Sequence, residues 1–159
     1  MYAPTNESTD DEKDDFYDQL QATFGTCNRH DVVIVMGDLN AKVGEDNKDM
    51  AGITGKMDWV TNDNGERLCD FCLMNALGIT LTCFPHRTAH RATCVSPNGR
   101  TQNQIDHMMI RKEWRRSVED TRVYRDAGAA SDHYLLVMKI KLKLHKSPKR
   151  RKINARFDT

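Results

Sequence analysis

Val32-Val33-Ile34-Val35-Met36-Gly37-Asp38-Leu39-Asn40 is the stretch whose reading decides the fold. Its first five residues are apolar and four of them are β-branched, the continuous run presented by a strand buried on both faces. Gly37 lets the backbone turn, and Asp38 and Asn40, two apart, project to the same side of an extended chain. A carboxylate and a carboxamide are thereby delivered to the end of a buried strand, where polar side chains need a reason to be. Taken alone, Asp-Leu-Asn is also an Asx turn closing a strand. The residues around it shift the balance.

Length and composition bound the problem. At 159 residues the chain is long enough for one domain with a real core and short for two. With 30% charged residues and a net charge of +1, global charge selects no partner. Its distribution is uneven: the first fifteen residues hold six carboxylates, whereas Lys139 to Arg156 is almost purely basic. Five cysteines without repeated short spacing suit a reducing compartment with free thiols. No apolar run approaches about 18 residues, so a membrane span is not expected and the chain is placed inside the cell.

Outward from the central stretch, Ser8, Thr9 or Asp10 can cap a helix whose first turn carries Asp10, Asp11 and Glu12 at the positive end of its dipole. Phe16, Leu20 and Phe24 give it one apolar face, and Gly25 ends it. A polar, glycine-containing segment runs from Ala41 to Asn64, long for a plain connection. Asn64-Gly65 opens a second helix with Leu68, Phe71, Cys72 and Met74 to Leu77 on its buried side and Gly78 closing it. Strands are expected over Ile79–Phe84, Arg91–Ser96, Gln104–Ile110, Arg122–Tyr124 and Leu135–Leu144, with a Pro97-Asn98-Gly99 turn and a short helix near Glu113–Val118. In the last strand Leu136, Met138, Ile140, Leu142 and Leu144 share one face and Lys139, Lys141 and Lys143 the other.

Three groups of residues carry potential chemistry: Asp38 with Asn40; Gln104-Ile105-Asp106-His107, which places an acid in an otherwise apolar strand; and Ser131-Asp132-His133, just before the last strand. A lone Asp in such a strand is costly unless it is paired or faces a site. In the order Tyr2-Ala3-Pro4, Gly37-Asp38-Leu39-Asn40, Gln104-Ile105-Asp106-His107, Ser131-Asp132-His133, these groups resemble the endonuclease/exonuclease/phosphatase superfamily. More closely, Asn64-Gly65-Glu66-Arg67-Leu68, Phe84-Pro85-His86-Arg87, Ser96-Pro97-Asn98-Gly99-Arg100 and Asn103 to His107 resemble the endonuclease domains of RTE-type non-LTR retrotransposons and the craniofacial development protein 2 family.

The resemblance implies a two-sheet α/β sandwich of the DNase I-like type that hydrolyses phosphodiesters in DNA with Mg²⁺, or Mn²⁺ in its place. Carried onto this sequence, it makes Asp38 the residue that orients and deprotonates the attacking water, with Asn40 holding that water or the phosphate. His133 donates to the phosphate as negative charge builds, Asp106 orients its imidazole, and Tyr2 contacts the phosphate. Asp132 and Asp38 become ligands of the metal. Thr93, Arg100, Asn103 and Gln104, on the hairpin Arg91 to Asp106, are candidates for DNA contact. Cys94 departs from relatives that carry an aromatic there.

The superfamily's earlier motifs, an Asn and a metal-binding Glu ahead of Tyr-Ala-Pro, have no counterpart in these 159 residues, so the expectation is an N-terminally truncated sandwich over 1–145 and a basic tail over 146–159. That tail suits nuclear import or phosphate binding and resembles a linker to a downstream reverse transcriptase domain. A non-catalytic nucleic-acid or protein-interaction module derived from such an endonuclease is the alternative, and a phosphatase of small phosphoesters is the minor one. Cys83, His86, His90 and Cys94 admit a zinc-knuckle reading, with ligands packed more tightly than usual. Cys69 and Cys72 read as core thiols rather than a redox pair.

Overall fold

Helix α1 (Asp10–Gly25) begins where the first turn can satisfy itself. Of the three caps the sequence allows, Thr9 is used: its hydroxyl accepts from the Glu12 amide at 3.3 Å while the Glu12 carboxylate accepts from the Thr9 amide at 3.0 Å. The computed structural model describes residues 1–44, 60–96, 99–125 and 131–143, except for the side chain of Thr88. The interior of the Ala41–Asn64 segment, the Pro97-Asn98 pair, the small residues Ala127 to Ala130, Leu144 and the basic tail therefore lie outside the described residues.

Strands β1 (Ile34–Asp38), β2 (Leu77–Ile79) and β5 (Asp106–Arg111) form an antiparallel sheet in the order β1-β5-β2. The register sets Ile34 opposite Ile110 and Asp38 opposite Asp106. A short ribbon pairs β3 (Cys94–Val95) with β4 (Gln102–Asn103), and β6 (Val118–Tyr124) pairs with β7 (Leu135–Ile140) across an irregularity near Asp120. Helices α1 and α2 (Asp63–Met74) cover one face of the three-stranded sheet, and Leu20, Phe24, Val35, Leu39, Leu68, Phe71, Leu77, Ile79 and Met109 form the core between them. The fold is a mixed α/β arrangement of antiparallel sheets.

Several local expectations are corrected. Helix α2 is capped by Asn62, whose side chain accepts from the Gly65 amide at 2.8 Å, rather than opened by Asn64-Gly65. It closes at Asn75, and Ala76 takes the left-handed position at φ 50°, so Gly78 is free to sit in β2 opposite Ile110. Met74 points to solvent. Strand β2 stops at Ile79 and gives way to a 3₁₀ turn over Thr80–Cys83, whose first hydroxyl donates to the Met108 carbonyl. Strand β5 starts at Asp106 rather than Gln104, β6 starts at Val118, and β7 ends at Ile140.

The larger correction concerns β1, which is not buried on both faces. Val35 is 6% exposed, whereas Ile34 and Met36 are 37% and 55% exposed. Side chains alternate across a strand, and among the described residues the helical layer lies only on the Val35 side. The two helices are themselves fastened by charge. Buried Lys13 donates to Asp63 at 2.8 Å and to the Asn6 carbonyl at 2.9 Å, and Arg67 of α2 reaches Asp10 and Asp14 of α1. Gly65 is required where α2 crosses the earlier chain, because a Cβ there would stand 1.9 Å from the Lys42 carbonyl oxygen. None of the five cysteines forms a disulfide; Cys69 and Cys72 are buried, and burial pushes the Cys69 thiol up to about 12.

Candidate active site

The site is assembled by register. Because Asp38 is the last residue of β1 and Asp106 the first of β5, and the two are opposed across the ladder, both carboxylates emerge from one rung at one end of the sheet. Tyr2 runs alongside, and the Ala3 amide donates to the Asp38 carbonyl at 2.9 Å. His133 arrives from the other side through a bridge to Cys94, with the Tyr134 amide donating to the Thr93 carbonyl at 2.7 Å and the Val95 amide to the Asp132 carbonyl at 3.0 Å.

The imidazole of His133 then lies between two acids. Its Nδ1 is 3.0 Å from Asp106 Oδ2, and its Nε2 is 3.9 Å from Asp38 Oδ2. Burial opposes the charged imidazolium, but the hydrogen bond and charge of Asp106, joined by the charges of Asp38 and Asp132, outweigh it and raise its pKa above the usual 6.5. Burial raises the Asp38 carboxyl above its ordinary value, and Asp106 adds to this, against the opposing pull of the Asn40 amide and His133. A carboxylate made more basic beside an imidazole made more readily charged is the division of labour an acid–base site needs.

Asn40 is held tightly. It occupies the left-handed region at φ 46°, its amide donates to Asp38 Oδ1 at 2.9 Å, and its side chain donates to the Ala3 carbonyl at 2.9 Å. Its carbonyl accepts from Asn62 Nδ2 at 2.9 Å and from Asn64 Nδ2 at 3.4 Å, and Asn64 also donates to the Pro4 carbonyl. His107, wholly buried and kept neutral by that burial, bonds to the Ala41 carbonyl through Nε2 at 2.7 Å. The turn bearing Asp38 and Asn40 is thus clamped from α2 and from β5. Sequence reasoning passed over Asn62, Asn64 and His107 as site-supporting residues. Asn62-Asp63 ahead of Gly65-Glu66 carries a cap signature, but which carbonyls its amides reach depends on the tertiary fold.

The other expected residues divide. Tyr2 is exposed beside Asp38, and Arg100 and Asn103, on the β3–β4 hairpin, are exposed and partly exposed. Thr93 and Gln104, expected to face substrate, are instead 0% and 1% exposed. The Thr93 hydroxyl accepts from the amides of Ile105 and Asp106 at 3.0 and 3.1 Å, so it shapes the entry into β5 from beneath. Asp132 is exposed with its carboxylate toward Ser131, and it stays outside the group of Asp38, Asp106 and His133, whose ligand-capable atoms lie within 4.8 Å of one another.

Two carboxylates and one imidazole in that compass offer the donors that a divalent cation takes. The zinc-knuckle residues do not gather. Cys83 donates to the Ile79 carbonyl at 3.2 Å, His86 bonds to Asp120 at 2.7 Å, and Cys94 is buried with its thiol raised by that burial.

Comparison with known proteins agrees with this architecture. Residues 2–133 match the Endonuclease/Exonuclease/phosphatase family. Over 150 residues, 94% of this chain, the sequence is 39% identical to craniofacial development protein 2 from Bos taurus and from Tragulus javanicus. The chain spans 25% and 26% of those two relatives. Among solved structures it is similar to the endonuclease domain of TRAS1, a telomere-specific non-LTR retrotransposon, with a TM-score of 0.62 and 18% identity over 90% of this chain and 57% of that one. It is also similar to the 3'-5' exonuclease NExo from Neisseria meningitidis, with a TM-score of 0.60 and 16% identity over 89% of this chain and 60% of that one. Among the described residues no helix is long and apolar enough to cross a membrane.

Proposed function

The chain belongs to the endonuclease/exonuclease/phosphatase family, and from that premise we propose that it hydrolyses phosphodiester bonds in DNA as a divalent-metal-dependent endonuclease. The observation that carries this reading is the His133 imidazole held between Asp106 and Asp38. Water attacks phosphorus and its proton passes to Asp38, the P–O bond to the leaving oxygen breaks, and that oxygen takes a proton from solvent, so that one hydroxyl and one phosphate monoester form. Burial makes Asp38 the stronger base for that proton. His133, charged and aligned by Asp106, donates to the phosphate as negative charge accumulates.

Asn40 fixes the carboxylate of Asp38 through its backbone amide and presents its carboxamide to the water or phosphate, and the Tyr2 hydroxyl adds a further phosphate contact. Asp38 and Asp106 would hold Mg²⁺ or Mn²⁺ together with substrate oxygens, leaving His133 free to donate, while Asp132, outside that group, would add only its charge. When bound, the metal neutralises phosphate charge. Arg100 and Asn103 on the β3–β4 hairpin contact the DNA, while Thr93 and Gln104 support that strand from below. On this reading residues 1–145 are the catalytic unit, and the basic residues of 146–159 suit a nuclear setting.

Nicking of supercoiled plasmid by this chain, with Mg²⁺ or with EDTA, tests the proposal. Cleavage that requires the metal and disappears in Asp38→Ala and His133→Ala is the expected result. Cleavage that survives either substitution refutes the assignment, and the absence of cleavage with retained DNA binding favours the non-catalytic module.

A further inference from the structure

A second recess lies away from the Asp38–Asp106–His133 cluster. Thr80, Cys83 and Phe84 form one wall, and Arg115, Arg116 and Val118 the other, around a cavity of about 330 Å³. Strand β6 separates the two places. Its Tyr124 end pairs with Leu135, two residues after His133, and its Val118 end borders the recess, a run of about 20 Å along the strand.

The chemistry of this recess is specific. Arg115 and Arg116 are exposed on the 3₁₀ turn Lys112–Ser117, and among the described residues neither guanidinium forms an ion pair or hydrogen bond. Phe84, which directly follows the 3₁₀ turn Thr80–Cys83 and lines the same recess, is partly buried, its ring stacked on His86 at 6.3 Å and 26°. That imidazole is in turn fixed by Asp120, and Arg122 holds Asp120 from its other oxygen at 2.6 Å. An aromatic ring backed by an anchored imidazole is a rigid platform. Lys141, whose amide donates to the Ser117 carbonyl, and Lys143 extend the positive surface beyond the recess. The opposing charges nearby are Glu113, exposed on the same turn, and Glu119, already paired with Lys139.

We propose that this recess is a binding site for single-stranded nucleic acid, in which Phe84 stacks one base while Arg115 and Arg116 hold the flanking phosphates. A stackable ring and two unpaired guanidiniums lining one recess offer what a nucleotide presents, a planar apolar base with anionic phosphates beside it. An acidic peptide satisfies the arginines but leaves the ring without a partner. The site is independent of the hydrolytic proposal, since it shares none of the residues assigned there.

The test is fluorescence anisotropy with a labelled fifteen-nucleotide oligothymidine in EDTA, so that no cleavage intervenes. The chain, its Asp38→Ala variant, the doubly exposed Arg115→Glu/Arg116→Glu variant and Phe84→Leu are compared, each with its thermal midpoint measured. Asp38→Ala is expected to bind as the parent does. The double charge reversal is expected to weaken binding at least tenfold and to reduce the slope of log K against log salt by about 1.4, two phosphates' worth for a single strand. Phe84→Leu is expected to weaken it by about 5- to 100-fold, the loss of one stacked base.

Unchanged affinity in the charge-reversal variant overturns the site. So does equal competition by poly-glutamate with no loss in Phe84→Leu, which marks the surface as a general polyanion or acidic-peptide patch. A change confined to Asp38→Ala, in either direction, assigns the binding to the catalytic cleft instead.

Discussion

Two histidine–aspartate pairs in this molecule look alike and are placed to do different things. His133 and Asp106 meet at 3.0 Å, and His86 and Asp120 at 2.7 Å, and all four side chains are partly buried. In the first pair the second nitrogen of the imidazole looks toward another carboxylate, Asp38, with Asp132 adding its charge. In the second, the carboxylate is shared with Arg122; burial opposes its ionisation, but His86 and Arg122 outweigh this and hold Asp120 below the ordinary range. A hydrogen-bonded His–Asp pair is therefore not by itself a sign of chemistry. What the free edges of the pair face decides whether it can move a proton or only hold the chain.

That contrast can be broken or sharpened by substitution. Asp38→Ala removes the acid that only the first pair faces, and cleavage of supercoiled plasmid should fall by about 10²- to 10⁴-fold, the usual contribution of a positioned general base. His133→Ala should cost about 10²- to 10³-fold by loss of a transition-state donor, again read by plasmid nicking. Equal activity in either variant would remove the distinction between the pairs.

Asp106→Asn should lower activity by about tenfold or more and, more tellingly, move the basic limb of the pH–rate profile toward lower pH. The sign follows from the raised pKa of His133: the imidazolium that Asp106 sustains would be lost at a lower pH without it. The same shift affects stability. A raised folded pKa contributes fully below the ordinary 6.5 and is lost as pH rises through the folded value, so denaturation curves of Asp106→Asn and parent should differ most in acid and converge in alkali.

His86→Ala is the smallest effect expected. Asp120 keeps Arg122, so nicking should stay within about twofold while unfolding free energy drops by about 1 kcal/mol, as for one partly exposed hydrogen bond. A large loss of activity there would put the second pair in the chemistry after all.

The sequence marked the groups proposed to react more readily than what supports them. Asp38, Asp106 and His133 stand out because each is a polar residue at the edge of an apolar strand, where burial without purpose is costly. The fold followed from the same strands, and the mixed α/β class and capped α1 are as expected, whereas the antiparallel order β1-β5-β2 was not read from the sequence. Burial of β1 was misjudged because Val-Val-Ile-Val-Met is apolar on both faces, and composition cannot say that only Val35's side is covered. The end of α2 was misjudged because Gly78 is the better left-handed residue, yet Ala76 occupies that position and Gly78 pairs in β2. Thr93 resembled a surface hydroxyl, and only the approach of Ile105 and Asp106 commits it to the backbone. Asn62 and Asn64 gained their roles in the same way, from carbonyls some twenty and sixty residues distant.

The pairing of β1 with β5 also governs when the site can come into being. Joining Asp38 to Asp106 closes a loop of about seventy residues, an entropic cost of roughly 4 kcal/mol that must be met before the rung between the two carboxylates exists. Structure dominated by such distant contacts folds slowly, and during synthesis at about 5–20 residues per second, roughly 4–15 seconds separate the emergence of Asp38 from that of Arg111 at the end of β5. Throughout that interval β1 exposes Ile34 and Met36 together with an unpaired backbone edge, so the nascent chain is most vulnerable to mispairing through the strand that later carries its chemistry.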